Sequence, residues 1–160
     1  MDEIRIIEKN SDQLIYLVKD FRNVLNNLNN SSRSCSFEEA EEEAEDYFSP
    51  NKKVVGLYRK KELIGFSVLK TEDGLWWLDW IFIKPEYRGY TNASVLFDYC
   101  EKFAAESGNN QLYIWVHPDN DRMLKFLKKK GYDILNLIEV KKRKNSVKNK
   151  IKILNNELWY

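Results

Sequence analysis

Histidine is nearly absent from this chain: His117 is the only one, and the 160 residues include just two cysteines, Cys35 and Cys100. The cysteines are far apart and in no paired-ligand spacing, so a zinc site would have to be improvised. Reduced thiols and no metal are expected. Net charge is lacking as well, with 26 lysines and arginines against 25 aspartates and glutamates. A molecule balanced in this way is not built as a whole to bind nucleic acid or an anionic membrane, and neither is expected as a partner. No run of about eighteen apolar residues occurs. The opening MDEIRIIEKN lacks the basic region and apolar core of a signal peptide, which makes a cytoplasmic protein the expectation. What the sequence has instead is 43% hydrophobic and 14% aromatic residues, enough for one compact domain over residues 1–160.

Ile4, Ile6 and Ile7 read as a first strand, and Ser11 or Asp12 then caps a helix carrying Leu14, Leu17, Val18, Phe21, Leu25 and Leu28 on one face. After the polar loop NNLNNSSRSCS, Ser36 and Glu39 form a capping box for the acidic helix SFEEAEEEAEDYF. Two strand-like runs, KKVVGLYR and ELIGFSVLK, flank a tight turn at Lys60 and Lys61. A third run, LWWLDWIFI, follows the turn TEDG, and together they predict an antiparallel meander. Ala93, Leu96, Phe97, Cys100, Phe103 and Ala104 predict a helix from Thr91 to about Ser107. QLYIWV then reads as a strand, NDRMLKFLKKK as a helix stopped by Gly131, and YDILNLIEV as another strand. The tail KKRKNSVKNKIKILNNELWY is basic at first and β-like from Ile151, so it is expected to pair as a last strand. The predicted order is βααβββαβαβ with one more strand, and no internal repeat is visible.

The stretch IFIKPEYRGYTNASVLF, Ile81 to Phe97, hands a strand over to a helix through Pro85 and Gly89. Such a turn aims unpaired backbone N–H groups at one point with the positive end of the helix dipole behind them, which makes a cradle for phosphate or a similar anion. It has neither the Gly-Lys-Ser/Thr ending of a nucleoside-triphosphate loop nor the three glycines of a dinucleotide fingerprint. The residues alone therefore leave an anion site and an ordinary turn both open.

In its frame this stretch resembles the GCN5-related N-acetyltransferase (GNAT) family, whose loop reads Gln/Arg-x-x-Gly-x-Gly/Ala before a helix, after a strand ending Val-x-Pro and two further residues. Ile83, Lys84, Pro85, Glu86, Tyr87, Arg88, Gly89, Tyr90, Thr91, Asn92 and Ala93 fall into that frame. VHPDNDRMLKFLKKKGY is similar to the family's second signature through Asn120, Phe126, Gly131 and Tyr132. The resemblance implies an α/β fold, a mixed and mostly antiparallel sheet with splayed central strands flanked by helices. It implies acetyl-CoA as cosubstrate, with the pyrophosphate on backbone N–H groups of Arg88, Gly89, Tyr90, Thr91, Asn92, Ala93 and Ser94. The pantetheine arm would run along the backbone of Ile81 and Ile83, and Asn120 is a candidate contact to it as well as a helix N-cap.

Two positions depart from the family pattern. Thr91 stands at the usual middle glycine, adding a Cβ near the phosphates and a hydroxyl that can donate to them. Leu127 stands where many members carry the tyrosine that protonates the leaving thiolate, so no general acid carries over. Tyr113, Tyr132 and His117 are the conceivable substitutes, each also readable as structural. A thiol is a tolerable leaving group near neutral pH without such help.

Asp79 interrupts an apolar strand four residues before Ile83, where several family members place an acidic residue that binds or deprotonates the amine. By strict alternation it shares a face with Trp77, Ile81 and Ile83. A carboxylate there needs a cleft or a cation, so it reads either as catalytic or as half of a buried salt bridge. Cys100, on the apolar face of its helix, reads as core. Trp76, Trp77 and Trp80 are candidates for a cage around a cationic amine, or simply for core. The acidic helix from Glu38 to Asp46 reads first as a solvated face and second as an attractor for a cationic acceptor.

The sequence is thus expected to encode an N-acetyltransferase that passes the acetyl group of acetyl-CoA to a primary amine by direct attack, with Asp79 binding or deprotonating it. The amine would belong to a small molecule, a polyamine or a protein. The rival reading is an acetyl-CoA-binding sensor or interaction module that has lost turnover, on the strength of Leu127 and Thr91. A third, nucleic-acid binding through Lys141 to Lys144, ranks below both. The aromatic end NELWY is a candidate homodimer interface.

Overall fold

Ser11 and Ser36 each place a side-chain oxygen on a backbone N–H three residues ahead, Leu14 and Glu39, and so start two helices. A computed structural model describes residues 2–29, 31–89, 91–108, 111–142 and 149–160. Within them run β1 (Asp2–Ile7), α1 (Asp12–Leu28), α2 (Phe37–Asp46), β2 (Lys52–Arg59), β3 (Glu62–Glu72) and β4 (Leu75–Ile83). A 3-10 turn at Pro85–Tyr87 leads to α3 (Asn92–Glu106), β5 (Leu112–Ile114), α4 (Asp121–Lys129), β6 (Lys150–Ile153) and β7 (Asn156–Trp159). The chain divides into two compact units, Met1–Trp115 and Val116–Tyr160.

In the first unit five strands form one sheet in the order β1-β2-β3-β4-β5. The first three pairings are antiparallel, and β4 with β5 is parallel. On one face Phe21 of α1 meets Phe66 at 6.0 Å, Trp80 at 5.1 Å and Phe82 at 5.8 Å between ring centres. Leu14, Leu17, Val18, Ala40, Ala44 and Tyr47 complete that core. Burial of each large side chain contributes about 1.5–3 kcal/mol, which is why the predicted apolar stripe of α1 settles on the sheet. On the other face α3 places Phe103 on Trp76 and the Cys100 thiol 3.0 Å from the Ser67 hydroxyl. A mixed, mostly antiparallel sheet flanked by helices is the fold expected from the sequence.

In the second unit Asn120 caps α4 by accepting from the Met123 N–H. Gly131, at φ +87°, ends it: its N–H reaches the Lys128 carbonyl and that of Tyr132 the Leu127 carbonyl. This is the paired closure that glycine's left-handed backbone permits. β6 and β7 pair with each other as a two-stranded hairpin. The end of the chain therefore supplies two strands where one was expected.

The strand expected at YDILNLIEV does not form. Residues 132–140 are in neither helix nor strand, and Ile134, Leu135, Leu137 and Val140 are exposed. Strand propensity expresses itself only against a neighbouring strand, and this segment pairs with none among the described residues. QLYIWV is likewise shorter than expected, with strand geometry confined to Leu112–Ile114. Among the described residues no helix is long and apolar enough to cross a membrane.

Candidate functional site

β4 carries an irregularity at its centre. Val68 of β3 pairs with Trp80 and Leu69 with Leu78, so Asp79 is an extra residue without a partner on that strand. A bulge of this kind shifts the alternation by one, and here it corrects the expected facing of Asp79. Trp80 and Phe82 point to the α1 face, while Ile81, paired with Ser67, turns with Ile83 toward α3. Asp79 stays with Trp77 on the α1 and α2 side, where the ammonium groups of Lys70 and Lys52 act on it. Partial burial raises its pKa above the ordinary carboxylate value, and the two lysines pull it back only in part.

The same strand is open on its other edge. The ladder to β5 covers Trp76, Leu78 and the residue between them, paired with Leu112–Ile114, and it stops there. From Asp79 to Ile83 the backbone of β4 faces no strand on that side among the described residues, which is the splay expected between central strands. An open edge offers alternate N–H and C=O groups to an extended ligand arm.

Where β4 ends, the 3-10 turn leads to Gly89 at φ +87°, a conformation that disfavours any side chain. A Cβ built on Gly89 meets nothing within 4 Å, so the space beside this glycine is clear. Among the described residues the first helical hydrogen bond of α3 runs from the Val95 N–H to the Thr91 carbonyl. The N–H groups of Thr91, Asn92 and Ala93 therefore precede the helix ladder, with the dipole of a fifteen-residue helix behind them. The Thr91 hydroxyl makes no cap hydrogen bond, and Ser94 follows in the same first turn. Tyr90, also expected in the cradle, lies outside the described residues.

Side chains of the loop hold its shape. Arg88 donates through Nε to the Ile83 carbonyl at 2.8 Å and lies over the Phe82 ring. Asn92 is only 4% exposed, and its amide donates to the Tyr87 carbonyl at 2.9 Å. The Tyr87 hydroxyl donates to Glu62, whose other oxygen takes the Lys84 ammonium. Arg59 of β2, which the sequence reading passed over, ties these pieces to the sheet. It pairs with both oxygens of Asp2, lies over the Tyr87 ring and approaches the Asn92 side-chain oxygen at 3.4 Å. Asp2 and Arg59 are 57 positions apart, so no local spacing could have announced this clamp.

Other expected residues have ordinary roles. Asn120 spends its side-chain oxygen on the α4 cap. His117 accepts from the Asp119 N–H through Nδ1, and the Tyr113 hydroxyl donates to Gln111. Leu127 is buried, and Cys100 is fully enclosed, its thiol pushed up to about 12 by burial, which leaves it no nucleophile. The three tryptophans do not form one cage: Trp76 packs on Phe103 beneath α3, Trp80 lies against Phe21 and Arg22, and Trp77 stands apart. The acidic helix is largely occupied with structure. Glu43 takes a bidentate bond from Arg22 and one from the Tyr47 hydroxyl, Glu39 pairs with Arg33, and Asp46 pairs with Lys52. Arg22 with Glu43 and Arg33 with Glu39 help line a cavity of about 200 Å³.

Comparison with known proteins agrees with this geometry. Residues 21–132 match the Acetyltransferase (GNAT) family, and the match runs through both compact units. No curated protein matches the chain by sequence. Among solved structures the chain is similar to aminoglycoside N-acetyltransferase AAC(6')-Iy in complex with CoA, at 14% identity and a TM-score of 0.68, covering 91% of this chain and 95% of that one. It is also similar to the PaiA N-acetyltransferase from Thermoplasma acidophilum in complex with coenzyme A, at 20% identity and a TM-score of 0.61, covering 80% and 88%. A putative acetyl transferase from Pyrococcus furiosus shows 22% identity and a TM-score of 0.63 over 89% of this chain and 100% of its own. A family match over more than half of the chain, on a fold with the splayed β4 edge and the Gly89 turn, places this protein in the acetyltransferase (GNAT) family.

Proposed function

We propose that the protein is an acetyl-CoA-dependent N-acetyltransferase acting on a primary amine, and that residues 1–160 work as one catalytic domain. The observation that carries this reading is the continuity of three features on one strand: the bulged carboxylate at Asp79, the open edge to Ile83 and the turn at Gly89 with the α3 N-terminus beyond it. The clear space beside Gly89 and the N–H groups of Thr91, Asn92, Ala93 and Ser94 fit a pyrophosphate. The edge at Ile81 and Ile83 fits the amide-bearing arm of CoA, with the Ile83 carbonyl already taken by Arg88. Bound acetyl-CoA would supply a thioester carbonyl for an amine to attack.

The residues of this chain supply the rest. A backbone N–H of the open strand would stabilise charge on the carbonyl oxygen. Asp79, kept above the usual carboxylate range by burial, is suited to hold an ammonium group and accept its proton as it becomes a nucleophile. No side chain is assigned to the leaving thiolate, because buried Leu127 occupies the position of the family's tyrosine. That burial is also what favours the second reading, a CoA-binding module without turnover.

A thermal melt with acetyl-CoA, CoA and ATP at equal concentrations tests the proposal. A ligand at a hundred times its Kd adds about 2.7 kcal/mol of stability. Stabilisation by both CoA species and not by ATP, followed by thiol release with an amine, is the expected result. Stabilisation without release from any amine selects the module, and no stabilisation at all overturns both.

A further inference from the structure

The sheet edge beside Asp79 carries an aromatic shelf that the fold does not need. Trp77 on β4 lies 5.1 Å from Tyr113 and 4.7 Å from Trp115 between ring centres, at interplanar angles of 35° and 37°. Trp77 thus packs at a tilt against both other rings. The core around Phe21 covers the far end of this face through Trp80 and Phe82 and includes none of the three. Trp115 is 61% exposed, although a tryptophan is among the most favourable side chains to bury. Trp77 pairs with Tyr113 and Leu78 with Ile114 across the parallel ladder. Asp79 lies two residues along β4 from Trp77, on the same side of the sheet, and Trp115 follows Ile114, the last residue of the ladder.

Charge on this face suits a cation. Lys70 lies across from Trp77 and Lys52 across from Lys70, but Lys70 is paired with Glu72 and Lys52 with Asp46. With Asp79 the face holds three carboxylates against two ammonium groups. An amine with a flat apolar body satisfies both features at once. Its body stacks on the shelf and its ammonium group reaches Asp79, where the ring faces add cation–π attraction.

Resting on the acetyltransferase reading, we propose that the acceptor is an arylalkylamine, held on Trp77, Tyr113 and Trp115 with its amino group at Asp79. The shelf sets specificity and Asp79 engages the nitrogen. Initial rates of thiol release with saturating acetyl-CoA, using 2-phenylethylamine, spermidine and methylamine as acceptors, read this directly. The expected result is a KM for 2-phenylethylamine at least tenfold below that for methylamine. Trp115→Ala then raises that KM about tenfold, Trp115→Phe restores most of it, and the KM for acetyl-CoA stays unchanged in both. Thermal melts with acetyl-CoA accompany each variant, so a folding failure would show as a lost CoA shift, and Trp115→Phe then carries the comparison alone. Equal KM values for the three amines, a preference for spermidine, or indifference to Trp115 would overturn the arylalkylamine while leaving the acetyltransferase standing. Absence of any acetyl-CoA stabilisation in the unaltered protein would overturn both.

Discussion

Two residues carry most of what the proposed site would do, and each makes a distinct prediction. Gly89 sits at φ +87° in open space, so alanine there meets no neighbour and still strains the backbone. Gly89→Ala should weaken acetyl-CoA binding by about 1 kcal/mol, roughly fivefold in Kd by calorimetry, with little change in unliganded stability if the loop relaxes. Asp79 acts in the opposite direction on stability and activity. Its folded pKa lies above the ordinary value, so the folded state binds the extra proton between the two. Stability from this group is therefore lost as pH rises from the ordinary aspartate range through the raised value, and the charged form at neutral pH is a cost. Asp79→Asn should melt higher than the unaltered protein at neutral pH and the same below the ordinary aspartate pKa. In the same variant kcat/KM should fall and lose its rise with pH, which pH-rate profiles would show.

The turn between β2 and β3 illustrates what local sequence can specify and what overrides it. Lys60 and Lys61 have φ of +47° and +71°, the pair of left-handed residues that a two-residue hairpin demands and that asparagine and glycine prefer. Replacing them with Asn-Gly should stabilise the protein by about 1 kcal/mol or more, measured by urea unfolding. Sequence was most legible where the signal is local. The Ser36–Glu39 capping box, the Gly131 helix stop and the three meander strands all form at the expected residues. It was least legible where a partner decides. YDILNLIEV has the composition of a strand and no ladder among the described residues, whereas the polar-flanked end of the chain closes on itself as β6 and β7. The bulge at Asp79 was equally hidden, because an inserted residue leaves composition unchanged and appears only when Val68 and Leu69 are matched to Trp80 and Leu78. The three tryptophans close in sequence, expected as a cage or as core, divide: Trp80 packs on the core at Phe21, Trp76 lies against Phe103, and Trp77 meets Tyr113 and Trp115.

Across the molecule, charge balance is nearly complete, and the proposed site residues, Asn120 excepted, lie in the first compact unit, up to Trp115. Residues 21–132 nonetheless match the family as one stretch through the boundary at Trp115. If the chain works as one domain, differential scanning calorimetry should show a single transition that acetyl-CoA moves as a whole. Two separable transitions, with only one responding, would instead assign binding to one unit. The turn at Gly89 and the carboxylate on β4 were legible in advance through Pro85, Gly89 and Asp79, but the clamp of Arg59 on Asp2 and Asn92 was not. Contacts between distant strands leave no periodic trace.

The bulge also sets how β4 would tolerate a change of length. Without Asp79 the sequence of β4 alternates cleanly, Trp77, Trp80 and Phe82 on one side and Leu78, Ile81 and Ile83 on the other. Asp79 is thus one residue more than a regular strand needs. Deleting it would remove the carboxylate while keeping every other residue of β4 in phase.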